Sequence, residues 1–432
     1  INRKKFYALT KNSAGENLKS KINKVIKNLK SIGADYQFIS SSENNAWLFN
    51  IRGKDSKYSP IPHCYALVEK NSKIKFFCDL KKTSLSFRKK LKKIKFFDIK
   101  YVEKILSKID KKIFIVDKNT CSIFFEQIIK KNNKIINLND PIYNFKAIKN
   151  RKEIRNIKLA HKYDGAALTK YLFWVKKNYK KRYISEISAQ EKLLKFRKEN
   201  KNFKFLSFPT ISASGPNAAV IHYKASSSTN RRLKKGDIYL VDSGGQYNFG
   251  TTDVTRTISL NSNSNRIKDI FTRVLKAHIA VANYKLKSKT CGAQIDYIAR
   301  KPLKAVNLDY AHGTGHGVGC FLNVHEGPQA ISKYNKINFK EGMIVSNEPG
   351  YYENGKFGIR IENLVRVKKN KNVFSFDNLT MAPIDKSLIN KSILVKSEIN
   401  WLNNYHQNVF NKLKKFMNKA ELFELKRACS DI

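Results

Sequence analysis

The stretch from His222 to Glu362 constrains this chain more than any other. It carries Asp242, Asp253, Glu348 and Glu362 inside β-branched or apolar runs, in the texts YLVD, TTDVT, MIVSNE and GIRIE. Acids in such runs face a half-buried environment, where like charges repel and raise one another's pKa values. Cations resolve that repulsion, and four carboxylates call for a pair of divalent ions. The first two acids flank the SGGQYNFGTT turn. The last two flank a hairpin turning at Asn354-Gly355, a strong two-residue hairpin signal. Each hairpin is expected to bring one pair of acids side by side.

His316 adds an imidazole, in a loop with Gly313, Gly315, Gly317 and Gly319 where backbone must approach closely. Four carboxylates and one imidazole, with no thiolate, suit Mn, Co, Fe or Zn and argue against calcium. A dinuclear site of this kind fits hydrolysis of an amide or a phosphate ester. No Ser or Cys nucleophile with His and Asp partners stands out, which argues against covalent catalysis. His222, His312 and His325 lie in the same stretch and can donate hydrogen bonds to a developing oxyanion or to the substrate ends. His63, His161, His278 and His406 fall outside the cluster and are read as structural.

At 432 residues the chain is too long for one ordinary core, so two domains are expected. Its net charge of +51 raises a polyanion partner such as nucleic acid or an acidic membrane surface. The lysines are scattered (KKIKFF, KKNYKKR, IIKKNNK) and no nucleic-acid-binding signature stands out. The reading adopted is compositional bias, with a basic surface around an anionic pocket and no specific nucleic acid. The six cysteines form no CxxC pair, which fits a reduced, cytoplasmic chain. No apolar run approaches the roughly 20 residues of a membrane span. No signal peptide is visible, and the chain opens on Ile1 rather than Met, as a fragment would.

Residues 1–147 read as an α/β domain. ENLKSKINKVIKNLKSIGA places Leu18, Ile22, Val25, Ile26 and Leu29 on one helix face, with Gly33 as its stop. YQFIS, NAWLFNIRG, CYALVE, KIKFFCDL and KIFIVD read as strands of a mixed sheet, separated by a lysine-rich helix and a second near VEKILSKI. Trp47 to Gly53 reads as a buried strand ending at a glycine turn, rather than as a device by which Arg52 reaches a neighbouring pocket. Pro141 and its polar neighbours mark a junction at 140–150. Residues 148–432 form the second domain: two helices, glycine-punctuated strands, a helical interval at roughly 264–304, and a helical tail from about 396.

The blocks DSGGQYNFGTTDVTRT, HGTGHGVGCFLNVHEGPQ, NEPGYY and FGIRIEN resemble the Xaa-Pro aminopeptidases in their larger cytosolic form, within the pita-bread metallopeptidases. WLFNIRGKD, the helix ending HKYDGAAL and WLNNYH extend the resemblance over nearly the whole chain. It implies an α+β chain, with a creatinase-type α/β domain preceding a pita-bread catalytic domain. It implies that Asp242, Asp253, His316, Glu348 and Glu362 hold two metals, manganese first, with zinc or cobalt as the other candidates. Asp253 and Glu362 would bridge them. His222 and His325 would polarise the scissile carbonyl, His312 would shape a proline pocket, and Glu348 would relay the proton. Arg360 would stand behind the ligands or beside the substrate. Peptides with proline in position two would be the substrates, and a homodimer using the WLNNYH region would be the assembly. Larger members carry a further N-terminal domain, expected here to be absent or upstream of Ile1. The rival readings are an Xaa-Pro dipeptidase and a non-catalytic relative that binds nucleic acid or protein.

Overall fold

The helix read from apolar spacing runs Leu18–Ile32 and buries Ile22, Val25, Ile26 and Leu29. The Asn17 side chain caps its start by accepting from the Ser20 amide, and Gly33 ends it at φ 73°, which glycine adopts without a Cβ penalty. This helix opens the first of two compact units in the computed structural model, which describes residues 4–261, 263–371 and 373–432. The first unit runs to Glu153 and takes in Phe321–Asn323, and the second comprises Ile154–Cys320 and Val324–Ile432.

The first unit is built on a six-stranded mixed sheet. Its order is Ile94–Asp98, Ile74–Cys78, Cys64–Glu69, Tyr36–Ile39, Ile113–Val116, Lys134–Asn137. Cys64–Glu69 runs antiparallel to both its neighbours, and the other pairings are parallel. Sequence reading misses the two edge strands, whose lysines mask their alternation, and the helix Ile123–Asn132.

Two readings of this unit need correction. NAWLFNIRG is not one strand: Ser42–Leu48 is a helix, and only Ile51–Arg52 is extended. The Ser41 hydroxyl caps the helix, and Asn50 at φ 53° turns the chain out of it. Burial of Trp47, Leu48 and Phe49 together mimics a buried strand in sequence. Arg52, 3% exposed, donates within this unit to the carbonyls of Phe321 (2.6 Å), Ala46 and Ile51 (both 2.9 Å). Nor does Pro141 break periodicity; it precedes the helix Ile142–Ala147, where a missing N–H costs nothing.

Asp140 beside it is fully enclosed. It accepts from Gln37 Nε2 (2.8 Å), Asn44 Nδ2 (2.8 Å) and the Ile142 amide (2.9 Å). Burial outweighs these bonds and pushes its carboxyl up to about 6. A raised carboxyl binds its proton in the folded chain while the unfolded chain has lost it. Its contribution is therefore complete below about pH 4 and is lost as pH rises through 6, by about 3 kcal/mol for two pH units. Asp140→Asn should flatten that slope. The partnerless Asn44 Oδ1 and Gln37 Oε1 can accept from the new amide once their own amides flip. Urea midpoints at pH 4.5 and 8 check this, and an unchanged slope in the variant would rule Asp140 out as its source.

In the second unit, Ile211–Ser214, Ile238–Ser243 and Val254–Ser259 form an antiparallel sheet. Ile344–Asn347, Asn363–Asn370 and Val373–Asn378 form another. The hairpin Gly350–Glu353 with Phe357–Arg360 turns at Asn354-Gly355, as read. Helices Asn265–Ala282 and Gly292–Lys304 fill the helical interval, and Lys396–Leu413 and Lys419–Ala428 form the tail. In the WLNNYH segment, Leu402, Tyr405 and His406 are buried in this unit. His406 accepts the Ile384 amide at 3.1 Å, and Trp401 stacks on Tyr405. Among the described residues no helix is long and apolar enough to cross a membrane.

Candidate metal centre

Strand register delivers the acids. Asp242 pairs with Thr255, and Asp253 lies just before the strand that carries Thr255. Asn347 pairs with Asn363 and Gly350 with Arg360, so Glu348 and Glu362 occupy the gap between two ladders. Backbone bonds stitch these segments together: the Glu348 amide donates to Thr314 (2.8 Å) and the Glu362 amide to Thr255 (3.2 Å).

One ligand atom each from Asp253, His316 and Glu362 lies within 4.8 Å of the others. His316 Nδ1 meets the Gly317 carbonyl at 2.9 Å. In the neutral ring this puts the proton on Nδ1 and leaves the Nε2 lone pair facing Asp253 Oδ2 (3.5 Å) and Glu348 Oε1 (3.4 Å). A lone pair and carboxylate oxygens have no proton to share, and a cation satisfies all three. Glu348 is steadied by the Ser346 hydroxyl at 2.8 Å. Glu362 Oε2 accepts from Thr255 Oγ1 at 2.8 Å, while its Oε1 is buried without a partner among the described residues. Asp242 is similar: Oδ2 takes Arg360 Nη2 at 2.7 Å, and Oδ1 is left over. Burial, then neighbouring acids, push Asp253 and Glu362 well above the usual carboxylate range. Burial also raises Asp242, against the pull of Arg360. Leftover oxygens, mutual repulsion and an aimed imidazole fit divalent cations.

Asp242, Asp253, His316, Glu348 and Arg360 line a cavity of about 410 Å³, together with His222, His312 and His325. Phe208, Pro209, Ile211 and Ile221 supply apolar wall. Glu362 is 1% exposed and is not part of that lining. His325 packs edge-on to His316 with ring centres 4.1 Å apart, and burial and that neighbour lower it to about 4. Burial and Arg360 lower His312 to about 4 as well. Both His312 nitrogens are engaged, Nδ1 with the Gly313 carbonyl and Nε2 with Tyr352 Oη, each at 2.8 Å. That leaves His312 a wall rather than a donor.

Tyr352 does not line the cavity, but it braces two residues that do, and sequence reading missed it. Its hydroxyl receives Arg360 Nη1 at 2.6 Å and contacts His312, which joins the hairpin to the glycine loop. The signal was present in NEPGYY, where strand alternation puts Tyr352 opposite Gly358, but nothing local pointed to His312.

Gly315 shows how tightly the loop is held. A Cβ there would lie 1.9 Å from the Ser346 carbonyl oxygen, a backbone atom that cannot swing aside. Gly315→Ala should cost about 1–3 kcal/mol and loosen metal retention by displacing His316. Thermal melts with and without added Mn²⁺ read both, and a variant that melts and retains metal like the parent would refute the close-packing argument.

Such a centre defines a hydrolase-type protein that holds divalent metal on carboxylates and imidazole. Comparison with known proteins narrows the class. Residues 155–369 match metallopeptidase family M24, residues 1–153 the creatinase/prolidase N-terminal domain, and residues 372–432 the C-terminal region of peptidase M24. Xaa-Pro aminopeptidase 1 of Dictyostelium discoideum is 38% identical over 423 residues, 94% of this chain and 67% of the relative. A probable Xaa-Pro aminopeptidase P of Laccaria bicolor is 38% identical over 441 residues, 97% of this chain and 68% of the relative. The crystal structure of an X-prolyl aminopeptidase from Caenorhabditis elegans, described as a cytosolic enzyme with a di-nuclear active site, superposes with a TM-score of 0.94. It is 31% identical and covers 99% of this chain and 73% of its own. The chain belongs to the Xaa-Pro aminopeptidases of metallopeptidase family M24, with the α+β creatinase and pita-bread architecture.

Proposed function

We propose that the chain is a metal-dependent aminopeptidase that releases the N-terminal residue from peptides with proline in position two. The observation that carries this reading is the cluster of mutually repelling acids and the His316 lone pair, opening onto a histidine-rimmed cavity. Asp242, Asp253, His316, Glu348 and Glu362 would hold two divalent ions, manganese by preference. Bound there, the ions would acidify the attacking water and polarise the scissile carbonyl. Glu348, held by Ser346, would take the water's proton and pass it to the leaving amine nitrogen of proline. His325, neutral near pH 7, would offer an N–H to the developing oxyanion, and His222, which lines the same cavity, would share the task. His312, held by the Tyr352 hydroxyl, would form a rigid wall against which a proline ring could lie. Arg360 orients Asp242 and Tyr352 together. The domain division is proposed at residues 147 and 148.

We place the enzyme in the cytoplasm, supported by six free thiols that include Cys64 and Cys78 facing each other on neighbouring strands. A homodimer is proposed on a surface other than the buried WLNNYH side chains, and light scattering reads it.

The deciding assay compares an Arg-Pro-Pro tripeptide with an Xaa-Pro dipeptide after chelation and after Mn²⁺ is restored. Metal-dependent cleavage of the tripeptide, with little of the dipeptide, is expected. Cleavage of the dipeptide alone would replace this reading with a dipeptidase. No cleavage by folded protein with any divalent ion would overturn catalysis.

A further inference from the structure

Only two cations, Arg360 and Lys224, line the cavity among the described residues. Arg360 is committed to Asp242, Tyr352 and Thr255. Lys224 has no acid paired with it among the described residues, although it shares the cavity with four acidic or metal-type ligands. Its place relative to His222 is fixed by the residue between them. Tyr223 is 7% exposed, while His222 and Lys224 are exposed, and all three line the same cavity. Tyr223 donates its hydroxyl proton to Glu186 Oε2 at 2.8 Å. The same buried carboxylate receives the Ser214 amide (2.7 Å), Asn217 Nδ2 (3.0 Å) and the Arg231 amide (2.9 Å), and so ties down both ends of the loop.

We propose that Lys224 forms a carboxylate-binding subsite for the third residue of the substrate, so that short peptides of the form Xaa-Pro-Yaa with a free C-terminus are preferred. This rests on the aminopeptidase reading above. If His222 faces the scissile carbonyl, Lys224 begins at most about 7 Å further along, the span of two extended residues. That is the span from the scissile bond, across proline, to residue three. Lys224 is the one uncommitted lining cation among the described residues for the substrate's carboxylate end. The same ammonium would accept either a terminal carboxylate or an acidic side chain at position three.

The test uses the full chain loaded with Mn²⁺, as parent, Lys224→Met and Lys224→Arg. Substrates are Arg-Pro-Ala as acid, the same tripeptide as its C-terminal amide, and Arg-Pro-Glu amide. The parent should prefer the acid to the alanine amide by about tenfold in kcat/KM, the worth of one charge-assisted hydrogen bond, expressed in KM with kcat unchanged. Lys224→Met should erase that preference and leave the alanine amide unaffected, and Lys224→Arg should restore it. If the glutamate amide gains equally, a side-chain carboxylate serves; if only the acid gains, the subsite reads the terminus. Equal rates on acid and alanine amide in the parent, or a Met variant that slows both alike, would overturn the subsite. Calorimetry with the product Pro-Ala and its amide gives a readout without turnover. Acid-selective binding that vanishes in Lys224→Met, in protein that hydrolyses nothing, would sink the aminopeptidase reading and keep the subsite. Hydrolysis with no acid–amide difference would do the reverse.

Discussion

Asp253→Asn should move stability in opposite directions with and without metal, while abolishing hydrolysis. In the metal-free chain Asp253 is buried beside Asp242, Glu348 and Glu362, and burial and these acids oppose its charge. Asparagine removes that charge and keeps the shape. The metal-free variant should therefore melt higher than the metal-free parent, by roughly 2–4 °C for each kcal/mol of repulsion relieved. With Mn²⁺ the order reverses, because the parent gains binding energy that the variant has lost. The activity loss should exceed the roughly 10–100-fold that follows loss of a supporting partner, since Asp253 belongs to the group of side chains that could hold an ion. Differential scanning with chelator and with Mn²⁺ decides it. A variant less stable than the parent in both conditions would show that the acids are held by their hydrogen bonds rather than set against one another.

Arg360→Met should be the more damaging change to the fold. Burial opposes the Arg360 charge, yet Tyr352 and Asp242 hold it well above its usual range, so the guanidinium is charged at any workable pH. Its fork spans Tyr352 Oη, Asp242 Oδ2 and Thr255 Oγ1 at 2.6, 2.7 and 3.2 Å. Removing it strands a buried carboxylate, and breaking such a pair costs about 3–5 kcal/mol. Lysine keeps the charge but cannot reach three acceptors in one plane, so Arg360→Lys should recover part of the loss. The informative comparison is the double variant with Asp242→Asn, which removes both charges and should be more stable than Arg360→Met alone. A double variant as unstable as the sum of its parts would mean that the pair is not the source of the cost. The measurement is chemical denaturation of metal-free protein, because bound metal would itself neutralise Asp242.

The acids were legible in sequence because they break the chemistry of their own strands. Asp242 in YLVD and Glu362 in GIRIEN have no reason to sit between buried aliphatics unless something neutralises them. The two hairpins that carry them could be read from turn residues alone. What supports the acids was not legible, because its partners are distant in the chain: Glu186 meets Tyr223, Tyr352 meets His312, and Asp296 holds Thr314 at 2.6 Å. Each of these looks ordinary in its own segment. Segment 42–52 was misread for a local reason. Whether its apolar run extends or coils is decided by a cap and a left-handed residue, Ser41 and Asn50.

Arg256 is fully buried and donates to six acceptors. They include the carbonyl of Glu362 (2.7 Å), the Asn363 side chain, the carbonyls of Ala382 and Pro383, and Tyr405 Oη in the tail helix. One side chain thus couples the segment carrying Glu362 to a helix some 150 residues later in the chain. These segments cannot open separately without stranding a buried guanidinium. Amide protons around the ligands and those of the helix Lys396–Leu413 should therefore exchange with solvent as one cooperative group. The C-terminal helix is in that sense a moving part of the centre, and any event that frays it, such as a protease cut, is transmitted to the site.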